Sequence, residues 1–195
     1  MIPQTAVEVN TQNKKLRKPA LAGGKPGETK IALETYYQAE RMEGESPLAF
    51  CIRNGWEEYI DRMLVADFLI LNRDRHGANI EVLRNARKKE TRLAPLFDHG
   101  LSLLFGSVTQ KEVEAADVME DKRVQCFVGS GSVKENLDLI PKERRFLLPA
   151  RTGQEKEFLL EGLAEAAPQF WLDKTWQMIE ERWRYYESFC NSGRV

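Results

Sequence analysis

The chain has 195 residues, 42% of them apolar, and its 29 basic and 30 acidic side chains leave a net charge of −1; that length fits one large domain or one lobe of a two-lobed fold, and the balance disfavours a dedicated nucleic-acid binder. Cys51, Cys126 and Cys190 are far apart and form no Cys-x-x-Cys pair, which argues against a disulfide framework or a zinc site and fits a reducing cytoplasm. No N-terminal apolar stretch qualifies as a signal peptide, and the longest greasy run, Met63 to Leu71, is too short to span a bilayer and is interrupted by Asp67, so a soluble, cytoplasmic protein is expected.

Residues 1–30 carry six Lys or Arg against two Glu and close on Gly23-Gly24-Lys25-Pro26-Gly27. They read as a basic, flexible extension. The Gly-Lys pair does not make a nucleotide loop, because Pro26 stands where a Ser or Thr would have to open a helix. A weak helical pattern follows from Ile31 to Arg41. Trp56, Tyr59, Ile60, Met63, Leu64, Asp67 and Phe68 then fall at i, i+3, i+4 spacing and predict a helix that runs into Asn72.

The densest chemistry comes next: Asn72-Arg73-Asp74-Arg75-His76-Gly77-Ala78-Asn79, and later Phe97-Asp98-His99-Gly100. Between the two strings, Asn79–Leu83 and Leu93–Phe97 are predicted strands, joined by the basic hairpin tip Arg84–Glu90. Leu101–Phe105 is also strand-like. Helices are predicted over Val133–Ile140, Gln154–Ala167 and Phe170–Phe189. The last of these carries Trp171, Trp176, Trp183, Tyr185, Tyr186 and Phe189, an aromatic stripe read as core packing.

An Asp, an Asn five residues later and a second Asp delivered by a hairpin is an arrangement suited to phosphoryl transfer. That reaction needs a base for the attacking hydroxyl and hard oxygen ligands for magnesium. Asp74 is the candidate base; Asn79 and Asp98 are the candidate metal ligands. His76 could touch a phosphate, orient Asp74 or take the proton itself, since an imidazole titrates near neutrality. Arg73 and Arg75 are candidates to balance phosphate charge. His99 is expected to pack or hydrogen-bond structurally. A metal-dependent hydrolase using Asp74, His76, Asp98 and His99 is the competing chemistry.

The string Leu71-Asn72-Arg73-Asp74-Arg75-His76-Gly77-Ala78-Asn79, with Leu93-Ala94-Pro95-Leu96-Phe97-Asp98, resembles the catalytic segment of HipA-like serine/threonine kinases. The Asp-Arg-His and Asp-His-Gly-Leu-Ser strings are also similar to those of phosphoinositide kinases and Fam20-type kinases. Phe97 stands where HipA-like proteins commonly have tyrosine, which leaves protein and lipid acceptors both open. The resemblance implies an α+β, predominantly helical, kinase-like C-terminal lobe over residues 31–195. Its catalytic segment is 56–105, with a small β-hairpin carrying the metal-binding Asp98, and its helical remainder is 106–195. It implies ATP and magnesium as cofactors and a Ser/Thr hydroxyl as acceptor. The residues before Asn72 lack strand patterning, so no strand-rich N-lobe is expected from them. Lys14, Lys15, Lys18, Lys25 and Lys30 are the candidates for a phosphate-gripping lysine. A protein partner could complete the lobe or serve as substrate, and a non-catalytic kinase-like scaffold is the alternative function.

Overall fold

A computed structural model describes residues 27–192; most of the expected N-terminal extension, with Lys14, Lys15, Lys18 and Lys25, lies outside them. The fold is α+β, about 47% helical with a small antiparallel sheet. Among the described residues no helix is long and apolar enough to cross a membrane.

Everything is organised around one helix. Strand β1 (Glu28–Ala32) leads into α1 (Leu33–Glu40), then α2 (Pro47–Arg53), which the Ser46 hydroxyl caps by accepting from Ala49 N. The helix predicted from Trp56 is α3 (Glu57–Ile70). Its buried face carries Ile60, Met63, Leu64 and Phe68, all at most 2% exposed. Two carboxylates, Asp61 and Asp67, sit on that same buried face. Each is matched by an arginine from elsewhere in the chain: Asp61 by Arg144 at 2.7 Å and Asp67 by Arg75 at 2.9 Å. A carboxylate buried without such a partner would be strongly destabilising. The helix stops at Leu71, a left-handed residue (φ 49°) whose side chain is fully buried.

Beyond α3 the chain forms β2 (Asp74–Arg75), a single 3-10 turn (Gly77–Asn79), and the hairpin β3 (Glu81–Asn85) with β4 (Glu90–Leu93). The hairpin lies two to four residues off its predicted bounds. Val82 pairs with Leu93 and Asn85 with Glu90, which leaves Ala86–Lys89 as the tip. Pro95 has no N–H to donate and follows the last pairing bond, Ala94 N to Glu81 O. The sheet order is β1-β3-β4, all antiparallel. Strand β1 forms among residues read as lacking strand patterning. It also shortens the expected extension, because Glu28, Thr29 and Lys30 pair with Asn85, Arg84 and Leu83. Alternation is faint in β1 because its residues are half-buried or exposed, with ion pairs on one side: Lys30 to Glu81 and Glu28 to Arg92.

The predicted strand Leu101–Phe105 is instead a run of turns between Gly100 and Gly106. Leu103 is left-handed (φ 56°), and the run's polar backbone closes against its neighbours, Leu103 N on Ile70 O and Arg73 N on Leu101 O. Next come α4 (Gln110–Ala115), opened by a reciprocal Thr109–Glu112 capping box, β5 (Gln125–Cys126) and α5 (Val133–Leu137). The helix predicted over Gln154–Ala167 splits into α6 (Glu155–Leu160) and a 3-10 turn, because Gly162 between them is left-handed (φ 75°).

The final helix, α7 (Gln169–Asn191), packs on α3 and α4. Its buried line is Leu172, Thr175, Ile179, Arg182, Tyr186 and Cys190, at helical spacing. Of the aromatic stripe, only Tyr186 is fully buried, and Tyr185 is exposed. Arg182 takes the central core position. Its guanidinium donates to Phe68 O, Val118 O and Glu120 O and lies over the Phe68 ring.

Candidate functional site

The Asp74–Asn79 loop is built on Asp67. Asp67 Oδ1 accepts from Asn72 Nδ2 (2.9 Å), and Asn72 Oδ1 in turn accepts from the backbone N–H of Asp74 (3.2 Å). The buried face of α3 therefore sets where the candidate base starts. Behind the loop, β2 runs parallel to β5, with Gln125 N on Arg73 O and Phe127 N on Arg75 O. In front, α1 closes on Gly77. A Cβ on that glycine would lie 2.6 Å from Glu34 Cβ and 2.7 Å from the Phe127 ring, so the close approach requires glycine.

Arg75 does not face a ligand. It is 1% exposed, and all five of its N–H groups are spent inside the protein. Nε and Nη2 form a two-point pair with the Asp67 carboxylate at 2.9 Å each. Nη1 reaches both Asn79 O (3.1 Å) and Phe97 O (2.9 Å), and the second Nη2 hydrogen meets His99 Nδ1 at 3.1 Å. A guanidinium only donates, so His99 Nδ1 is the acceptor and its proton sits on Nε2. Burial, and then the Arg75 charge, hold the His99 imidazole below its ordinary value, in keeping with a neutral ring. Arg75, predicted to balance phosphate charge, is thus a buried strut. It joins α3, the Asp74–Asn79 loop and the segment that carries Asp98.

Arg73 is half-buried; Nη2 donates to Phe105 O (3.0 Å), the group lies 5.0 Å from the Phe105 ring centre, and Nε has no hydrogen-bond partner. Lys30, the remaining lysine candidate, pairs with Glu81 at 3.1 Å. His76 caps the 3-10 turn, its Nδ1 accepting from Ala78 N, and turns Nε2 toward Asp74 Oδ1 at 3.5 Å. Asn79 donates its amide NH2 to Asp74 O (2.9 Å) and weakly to Asp74 Oδ2 (3.4 Å). Its Oδ1 accepts nothing among the described residues. Asp98 is exposed and left-handed (φ 55°), and its carboxylate has no hydrogen-bond or ion-pair partner among the described residues.

Asp74, His76 and Asn79 are therefore in mutual contact, and the residues flanking Asp98, Phe97 and His99, tie its segment to the same loop through Arg75. Free acceptor oxygens on Asn79 and Asp98 are the donor chemistry that magnesium accepts, since that ion binds through one or two carboxylates and keeps several waters. Among the described residues no three His, Cys, Asp or Glu side chains gather as a metal centre, so the four-ligand hydrolase set of Asp74, His76, Asp98 and His99 does not assemble. Sequence reasoning overlooked Asp67, Asn72 and β5. The first had a signal: a carboxylate on the apolar face of a helix, eight residues before an arginine. No protein-family model matches this chain, and comparison with curated proteins and with solved structures gives no match.

Proposed function

We propose that this chain is the catalytic lobe of an ATP- and magnesium-dependent phosphotransferase of the HipA-like kind, acting on a Ser or Thr hydroxyl of a protein in the reducing cytoplasm. The observation that carries the reading is the state of the oxygens. Asn79 has its NH2 committed to Asp74, while its Oδ1 and the Asp98 carboxylate have no partner among the described residues. Asp98 moreover holds a left-handed backbone, where glycine would be unstrained. A strained residue with an unused charge suits a ligand-binding role better than a purely structural one.

Asn79 Oδ1 and Asp98 would hold the metal, which when bound neutralises charge on the phosphates. Asp74 orients the acceptor hydroxyl and takes its proton. His76, with its Nε2 proton toward Asp74, fixes the direction of that carboxylate and keeps positive polarity beside it. Arg73 is the one loop arginine left near solvent for a phosphate. Among the described residues no glycine-rich loop between strands precedes the catalytic segment. We assign the covering of the phosphates to a segment outside them or to a protein partner.

Calorimetric titration with ATP, with and without magnesium, tests this. Magnesium-dependent binding that disappears in Asp98→Ala is expected, as is binding without phosphoryl transfer in Asp74→Asn. Magnesium-independent binding, or none by the chain either alone or with its partner present, would sink the phosphotransferase reading and favour the scaffold. Undiminished transfer by Asp74→Asn would remove the base from its role.

A further inference from the structure

Asp98 is held from both sides by one guanidinium. The residue before it gives its carbonyl to Arg75 Nη1 (2.9 Å), and the residue after it gives its imidazole Nδ1 to Arg75 Nη2 (3.1 Å). The carboxylate between them touches no partner among the described residues, and its backbone is left-handed. Nothing in the side chain of Asp98 itself fixes where it points. The same guanidinium holds Asn79 O and the Asp67 carboxylate, so the two loops share a single rigid reference. Of the groups outside α3 that Arg75 grips, Asn79 O and Phe97 O are main-chain carbonyls, which any residue would offer. His99 alone is a side chain, and its contribution depends on its identity.

We infer that His99 is a positioning residue. By accepting from Arg75 through Nδ1, it locks the Asp98 turn to the Asp74–Asn79 loop, and so fixes the separation of the two candidate metal ligands. The inference rests on the phosphotransferase reading for its consequence in ligand binding, but not for the lock itself. Without His99, the turn is anchored directly at Phe97 O on one side, while on the other the next anchor is Leu101 O, which accepts from Arg73 N three residues beyond Asp98. A backbone in the left-handed region then has an easy route back to extended geometry, and it carries the Asp98 carboxylate away from Asn79. The imidazole's other nitrogen, Nε2, has no part in this.

The two nitrogens make the test specific. Asparagine offers an acceptor oxygen on Cγ, where Nδ1 is attached in histidine, whereas glutamine offers one at the distance of Nε2. His99→Asn is expected to keep magnesium-dependent ATP affinity within about threefold of the unaltered chain, while His99→Leu and His99→Gln weaken it by at least tenfold, each with unchanged circular dichroism. Leucine binding as tightly as histidine overturns the inference. Rescue by glutamine rather than asparagine also overturns it, since the group would then act through Nε2. Should the unaltered chain bind no magnesium-ATP, the phosphotransferase reading fails and the lock is read by hydrogen exchange of the Arg73 amide, which closes the far side of the turn on Leu101 O. Faster exchange in His99→Leu, restored in His99→Asn, sustains it; equal exchange in all three refutes it.

Discussion

Two arginines, Arg75 in the candidate site and Arg182 in α7, are among the largest fully buried side chains, and they are partnered in opposite ways. Arg75 meets a carboxylate squarely and adds two carbonyls and an imidazole. Arg182 meets three carbonyls and no carboxylate. Burial therefore pushes the Arg182 guanidinium down to about 10, which still leaves it charged at neutral pH. The lesson concerns what each cation leaves behind when removed. Losing Arg75 strands a formal charge on Asp67; losing Arg182 strands three carbonyl dipoles, while Asp121 and Asp117 act on it through space without a direct bond. The first arginine makes the site's loops obligatory neighbours of α3. The second staples the C-terminal helix to the last turns of the same helix.

The largest effect expected from this contrast is at Arg75. Arg75→Met, which leaves Asp67 buried and unpaired, should cost about 3–5 kcal/mol, read as a shifted urea midpoint; a loss under about 1 kcal/mol would show that the pair contributes little. Arg182→Met leaves no directly paired carboxylate behind and should cost less, about 1–3 kcal/mol for the unsatisfied carbonyls. If it cost more than Arg75→Met in parallel denaturation, the comparison would be reversed. Gly77→Ala probes the site from the α1 side. Its methyl would press on Glu34 and Phe127, and about 1–3 kcal/mol of destabilisation is expected; an unchanged midpoint would mean that α1 yields freely. Asp98→Gly is expected to move stability the other way, by about 1 kcal/mol upward, through relief of the left-handed strain, while abolishing magnesium-dependent binding. A variant both less stable and still binding would contradict the role given to Asp98.

Thiol chemistry gives a finer reading of the same frame. Burial raises the Cys126 thiol to about 11 and the Cys51 thiol to about 12. Since the thiolate is the reactive form, both should label slowly at pH 8 in the folded chain. Cys126 lies on β5, against β2, so its labelling should accelerate in Arg75→Met ahead of that of Cys51. Equal acceleration would indicate global rather than local opening.

Much of this arrangement was legible in the sequence, and the exceptions have physical causes. Helix α3 and the hairpin could be read because their periodicities reflect burial on one face, and the Asp74–Asn79–Asp98 spacing is local chemistry. The role of Arg75 could not be read, because an arginine beside a candidate base looks the same whether it faces a phosphate or a buried carboxylate. What decides is Asp67, which sits on another element. Strand β1 was missed because its charged face is satisfied by cross-strand ion pairs with Glu81 and Arg92 rather than by burial. Leu101–Phe105 imitated a strand because its leucines and phenylalanine bury unevenly around a turn, which composition alone does not separate from alternation.

The pairing of β2 with β5 has a bearing on the order of assembly. Among the described residues the carbonyls of Arg73 and Arg75 find their donors in Gln125 and Phe127, some fifty residues further along the chain. Closing so long a loop is entropically slow. As the chain leaves the ribosome, α3 and the hairpin can form early, but the Asp74 loop stays without its backing strand until residue 127 has emerged. The candidate site is thus unsettled until residue 127 has been made, and a product stopped between the hairpin and β5 would have most of the named side chains but no settled loop.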